Sequence, residues 1–125
     1  MGQKIALLAL AGACGTLARY GLAGVVHRWL GGNFPWGTVA VNVLGCLLFG
    51  IVWAAGTERA TIGPEARFII LTGLMGAFTT FSTFIAESNQ LLTGAQLLLG
   101  FTNIVLQLLI GTGGFFLGLA IGRII

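Results

Sequence analysis

Thr72-Gly73-Leu74-Met75-Gly76-Ala77-Phe78-Thr79-Thr80-Phe81-Ser82-Thr83-Phe84 decides how this chain is read. The stretch lies inside an apolar segment, Phe68 to Ala86, long enough to cross about 30 Å of hydrocarbon as a helix. Yet it sets two glycines and five hydroxyl residues where a lipid-spanning helix would be uniformly apolar. We read it as a helix broken at mid-membrane. Non-helical backbone at that depth survives only where protein buries it or where it lines a cavity, because each unsatisfied peptide group costs several kcal/mol. A broken helix also offers ion sites of both signs. Freed carbonyls face cations, and N-terminal N–H groups face anions.

The rest of the chain supports a lipid setting. Of 125 residues, 57% are hydrophobic and only 7% charged, against about 25% charged in an ordinary soluble domain. Ile5 to Val26, Trp36 to Gly56 and Ala95 to Gly122 are further apolar stretches of spanning length. The expected fold is an all-α membrane protein with four transmembrane helices, at about 5–26, 36–56, 68–86 and 95–122, in one domain covering 1–125. The first apolar run outlasts the core of a cleavable signal peptide and carries Arg19, so it is expected to stay in the mature protein. A net charge of +3 without a basic run excludes nucleic acid as a partner, since phosphate neutralisation calls for clustered Lys and Arg. No Ser/His/Asp or Cys/His set, paired carboxylates, phosphate loop or metal-ligand cluster can be assembled, so an enzyme is not expected. Cys14 and Cys46 read as small apolar residues within spans.

Glycine and charge organise the spans. Gly114, Gly118 and Gly122 recur every fourth position, and Gly12 with Thr16 and Gly73 with Ala77 repeat the spacing that lets helices approach closely, within a protomer or between subunits. Trp29, Trp36 and Trp53 fall near span ends, where amphipathic rings sit at headgroup level, and Pro35 suits the opening turn of the second helix. Lys4, Arg59, Arg67 and Arg123 group on one side, against Arg28 with Arg19 on the other, which favours a cytoplasmic N-terminus.

Polar groups at membrane depth are the candidates for function. Arg19 either snorkels to the interface or lines an anion-attracting vestibule. Asn42 brings an amide that must find partners, in a helix–helix bond or as a pore-lining donor. Phe81 and Phe84 are three apart and share a helical face, with Thr80 and Thr83 adjoining it. They read either as aromatic packing or as ring edges whose positive quadrupole meets an anion. Glu87 is either solvated at the membrane boundary or placed at a pore end, and Asn103 with Gln107 form a polar strip four residues apart that could line a path. These residues point to a small ion, more readily an anion. The alternative is a small proton-coupled cation or multidrug exporter of the four-helix dual-topology type, which would want an acid in the first span, where this chain has a base.

Gly37-Thr38…Val41-Asn42…Gly45, the run from Gly73 to Phe84, and Gly12…Gly15…Arg19-Tyr20 closely resemble the Fluc (CrcB) family of bacterial fluoride channels, and the resemblance spans essentially the whole chain. It implies a single channel domain in the bacterial plasma (inner) membrane that exports fluoride passively, built as an antiparallel dual-topology homodimer with two pores. It implies that Phe81 and Phe84 offer ring edges to fluoride, that Asn42 donates hydrogen bonds, and that Ser82 and Thr83 are polar lining groups. Backbone carbonyls of Gly76 and Thr79 from both protomers would hold a structural sodium ion (Na+) on the two-fold axis, and Arg19 would stand near the vestibule. Two features depart from the family pattern. Asn103 and Gln107 stand where members carry a Tyr and hydroxyl residues, and the basic bias exceeds what a balanced dual-topology protein needs, which leaves a heterodimer open.

Overall fold

Glycine and proline punctuate this chain where its helices end. The first helix, α1 (Gly2–Leu30), stops at Gly31 and Gly32, whose φ angles of 54° and 77° lie in the left-handed region that side chains other than glycine resist. The next, α2 (Trp36–Thr57), is preceded by Pro35 as its N-cap, one position earlier than the opening turn expected from the sequence. Pro64 then opens α3 (Pro64–Phe68), where its missing N–H costs no helical bond. The chain continues through a π-helical stretch (Ile69–Met75) and the short α4 (Gly76–Phe78), and resumes as α5 (Phe81–Thr93). The last helix is α6 (Leu97–Gly122).

The computed structural model describes residues 1–125 and is all-helical. Four stretches, Gly2–Leu30, Trp36–Thr57, Pro64–Thr93 and Leu97–Gly122, are long and apolar enough to cross a membrane. They match the expected spans in order and centre. Helix overruns the apolar windows at several ends because the backbone bonds of a helix continue into its polar flanks.

The α2–α6 seam is set by small residues on both sides. An added Cβ on Gly118 would run into the Leu47 carbonyl and one on Gly122 into that of Ile51, while at Gly114 it would stand 3.3 Å from the Val43 carbonyl oxygen. The every-fourth-residue glycine stripe is therefore used inside the protomer. The same holds for α1, where Gly15 lies against the Leu74 carbonyl and Gly73 against Ala11. Cys14 and Cys46 are free thiols.

The interrupted third span is shared between two neighbours. Its first half, the π stretch and α4, packs on α1, whereas α5 packs on α6 and makes no contact with α1. The central α2 touches both halves. The break thus redirects the chain from one partner helix to another.

The basic end expected from the sequence is assembled in space. Lys4 Nζ stands 4.3 Å above the Phe68 ring, Arg67 lies 5.9 Å from the Trp53 ring, and Arg59 donates to the Arg123 carbonyl at 2.8 Å. Arg123 grips Glu58 with two bonds of 2.7 and 3.1 Å, and its guanidinium holds that carboxyl below the usual range.

The seam makes a paired prediction. Gly118→Ala should lower the apparent Tm in detergent, since overpacking costs about 1–3 kcal/mol. Gly113→Ala, where an added Cβ meets nothing, should hold Tm or raise it, because Gly in mid-helix is worse than Ala by about 0.5–1 kcal/mol. Equal shifts for the two variants would contradict the seam.

Candidate functional site

Helical bonding ends at Thr79 and Thr80, which adopt extended conformations (φ −81°, ψ 159° and φ −148°, ψ 103°). Thr79 closes the preceding turn by sending both its N–H and its hydroxyl to the Met75 carbonyl, each at 3.0 Å. Thr80 opens the next helix as its N-cap. Its Oγ1 accepts the Thr83 N–H at 3.3 Å, and its hydroxyl donates to Thr83 Oγ1 at 2.7 Å.

The N–H and C=O of Thr80 are met by Asn42 on α2. Asn42 Oδ1 accepts the Thr80 N–H at 2.8 Å, and Nδ2 donates to the Thr80 carbonyl at 3.2 Å and to Gln107 Oε1 at 2.8 Å. A primary amide carries a donor and an acceptor side by side, so it can pair with the N–H and C=O of one extended residue as a neighbouring strand would. Both N–H groups of Asn42 are committed inside the protomer. Donation to a passing ion would draw on the longer contact to Thr80.

These diversions expose two carbonyls. In an unbroken helix Thr80 N–H would bond Gly76 O and Thr83 N–H would bond Thr79 O. Here the first goes to Asn42 and the second to Thr80 Oγ1. Gly76 is exposed on the protomer surface and Thr79 half-buried.

From Gln107 the bonding continues inward. Gln107 Nε2 donates to Asn103 Oδ1 at 2.9 Å, Asn103 Nδ2 to Ser88 Oγ at 2.8 Å, and Ser88 Oγ to the Phe84 carbonyl at 2.7 Å. Asn103 is 0% exposed and Gln107 only 7%. Of the polar strip expected along the last helix, Gln107 borders the groove described below and Asn103 is turned into the protomer, their amides finding partners on α2 and α5.

Two recesses flank the break. The first, about 400 Å³, is a largely apolar groove along α2, α5 and α6 that includes Asn42, Thr79, Phe81, Phe84, Gln107 and Phe115. The Phe81 and Phe84 rings stand 5.7 Å apart at 53°, with Phe84 buried and Phe81 71% exposed. The second, about 610 Å³, is a polar cleft where α5 leans away from α1, with Arg19, Tyr20, His27, Thr80, Thr83 and Glu87 among its walls. Arg19 is half-buried there. Glu87 Oε1 accepts the Thr38 hydroxyl at 2.9 Å, and its Oε2 is buried without a partner.

The residues singled out from the sequence are thus split by the break rather than gathered on one face. Asn42, Phe81, Phe84 and Gln107 face the groove, Arg19, Thr80, Thr83 and Glu87 face the cleft, and Ser82 is exposed on the protomer surface. Thr83 adjoins the Phe pair in sequence but turns to the other recess. Thr38 and Ser88 were not singled out from the sequence. Their signal was the four-residue spacing that puts Thr38 one turn before Asn42, and Ser88 one turn after Phe84.

A family model described as CrcB-like protein, Camphor Resistance (CrcB), matches residues 6–119. The chain is 55% identical over 125 residues, all of both chains, to a protein of Solidesulfovibrio magneticus named fluoride-specific ion channel FluC. Proteins of the same name from Nitrosococcus oceani and Nitratidesulfovibrio vulgaris are 53% identical over 125 residues and 54% identical over 123 residues, the latter covering 98% of this chain and 99% of the relative.

The N-cap geometry predicts that Thr80→Val lowers the stability of the purified protein by about 1 kcal/mol, read as a drop in Tm, while Thr80→Ser stays close to the parent. Indistinguishable melting of the Val variant would remove Thr80 as the cap.

Proposed function

The chain belongs to the CrcB family, and on that premise we propose that this multi-pass membrane protein is a fluoride-selective channel through which fluoride leaves a bacterial cell passively across the plasma membrane. The observation that carries the reading is the interrupted third span with its phenylalanine pair beside Asn42. The interruption falls near the centre of Pro64–Thr93, which supports a mid-membrane position. The whole of 1–125 acts as one channel domain in this reading. Its work is passage and not catalysis.

Fluoride is small and holds its water tightly, so a path for it must offer groups that replace hydration yet bind weakly enough to release. Ring edges of Phe81 and Phe84 present positive quadrupole without a base, and the hydroxyls of Ser82 and Thr83 add donors. Asn42 lines the groove and bonds Thr80, which lines the cleft. Arg19 at the cleft raises the local concentration of anions. Fluoride that entered the cell as the neutral acid and ionised would then leave down its electrochemical gradient. A proton-coupled exporter would have to work through Glu87 alone, the one acid in the wall of either recess.

The surface of the single protomer supports assembly. Phe81, Ser82, Thr83, Thr72 and Gly76 are exposed along the broken span. Lipid cannot hydrogen-bond hydroxyls or carbonyls, so a second copy covers this strip in an antiparallel homodimer. A heterodimer with an oppositely oriented relative is the competing outcome. The diverted donors leave the Gly76 and Thr79 carbonyls suited to a hard cation. These carbonyls from two protomers would hold a sodium ion, which would neutralise their partial charges where the copies meet.

Reconstituted in liposomes, the protein should release fluoride far faster than chloride. Phe81→Ile and Phe84→Ile should each abolish fluoride efflux while the dimer still assembles, and normal efflux in both would refute the assigned path. Sodium has its own test. Replacing it on both sides by a large organic cation after exhaustive dialysis should weaken the dimer and suppress efflux, and unchanged efflux and assembly would rule the ion out.

A further inference from the structure

The chain of bonds behind Asn42 has only one consistent polarity. Its far end is the Phe84 carbonyl, which can only accept, so Ser88 must donate to it and accept from Asn103. Asn103 therefore turns Oδ1 to Gln107, whose Nε2 donates, and Gln107 turns Oε1 to Asn42. Asn42 must then present Nδ2 to Gln107, which leaves Oδ1 for Thr80. At that end the Thr80 N–H can only donate, and it meets Oδ1 at 2.8 Å. The two ends agree, so no amide in the series can flip without leaving a pair of like groups facing each other. Asn103 is fully buried and Ser88 3% exposed, so water cannot repair such a mismatch.

We infer that Gln107, backed by Asn103 and Ser88, is a positioning residue that fixes the Asn42 amide in the one orientation able to hold the broken backbone at Thr80. The inference rests on the channel reading for its effect on fluoride, but not for its effect on the backbone. Gln107 acts through Asn42. It is the only side chain besides the Thr80 backbone that bonds Asn42. The relay also returns to the aromatic pair, since its last bond ends on the carbonyl of Phe84 and ties that turn of α5 to α6.

Two readouts test this, one of which needs no activity. In Gln107→Leu, hydrogen–deuterium exchange at the Thr80 amide, resolved to the residue by fragmentation, should accelerate about tenfold or more, the effect of releasing one buried donor from its partner. Amides of α1 should keep the parent rate. In an Asn42→Ala background the same substitution should change Thr80 exchange by less than about twofold, because a residue acting only through another is not additive with its loss. Fluoride efflux from Gln107→Leu liposomes should fall about tenfold with the dimer intact. Should Gln107→Leu fail to assemble, Ser88→Ala removes only the terminal hydroxyl and should accelerate Thr80 exchange in the same direction. Parent-like Thr80 exchange in the assembled variants, or effects of Gln107→Leu and Asn42→Ala that multiply, would overturn the inference. Absence of fluoride efflux from the unsubstituted protein would instead strike the channel reading and leave the exchange result standing.

Discussion

A polypeptide that stops being helical inside an apolar segment must find partners for its peptide groups, and here one side chain meets both groups of the residue at the break. Asn42 lies against the extended Thr80 and bonds its N–H and its C=O, at 2.8 and 3.2 Å. Thr79 and Thr80 complete the closure on either side, the first by doubling its bonds to Met75 and the second by capping α5. The bonds of the Thr80 and Thr83 N–H groups replace ones that an unbroken helix would have made to itself. In a hydrocarbon setting, several kcal/mol ride on each peptide group so treated. The rest of the architecture follows from the break being tolerable at this one place.

Its first consequence is directional. Because the chain turns at Thr79–Thr80, α4 stays with α1 while α5 goes to α6, and the space between α1 and α5 becomes the polar cleft. The aromatic groove forms on the opposite side, along α2, α5 and α6. Glycine makes the arrangement close enough to hold. Without the seam of Gly114, Gly118 and Gly122 against α2, the helix that carries Gln107 could not reach Asn42.

The spans and the interruption were legible in the sequence for simple reasons. Apolar runs of this length have few other uses, and hydroxyls with glycines in such a run conflict with uniform helix. The direction in which polar side chains point was not legible. In a soluble protein the hydrophobic period separates inside from outside, but a lipid-facing side is as apolar as a core-facing one. The spacing of Asn103 and Gln107 therefore established that they share a face, not that the face is internal. Thr83 is two residues from Phe81, about 200° around a helix, and it turns to the cleft with Arg19. The π winding of Ile69–Met75 had no composition signal that separates it from ordinary helix.

The internal bonds also bear on how a tightly hydrated anion can pass without being captured. The strong donors near the break are spent on the protein itself: Asn42 on Thr80 and Gln107, Gln107 on Asn103, Asn103 on Ser88. What remains at the groove are ring edges, which attract an anion weakly, and the hydroxyl of Thr112, with that of Ser82 on the protomer surface nearby. The full positive charge of Arg19 stands on the other side of the break, in the cleft. Under the fluoride reading, attraction and transit are thereby assigned to different recesses. A guanidinium beside the rings would deepen the well that the ion must climb out of, whereas one in the cleft raises the rate of entry alone. The Asn42–Thr80 bonds that make the break tolerable join a groove-lining residue to a cleft-lining one, so the contact that satisfies the backbone lies between the attractor and the ring edges.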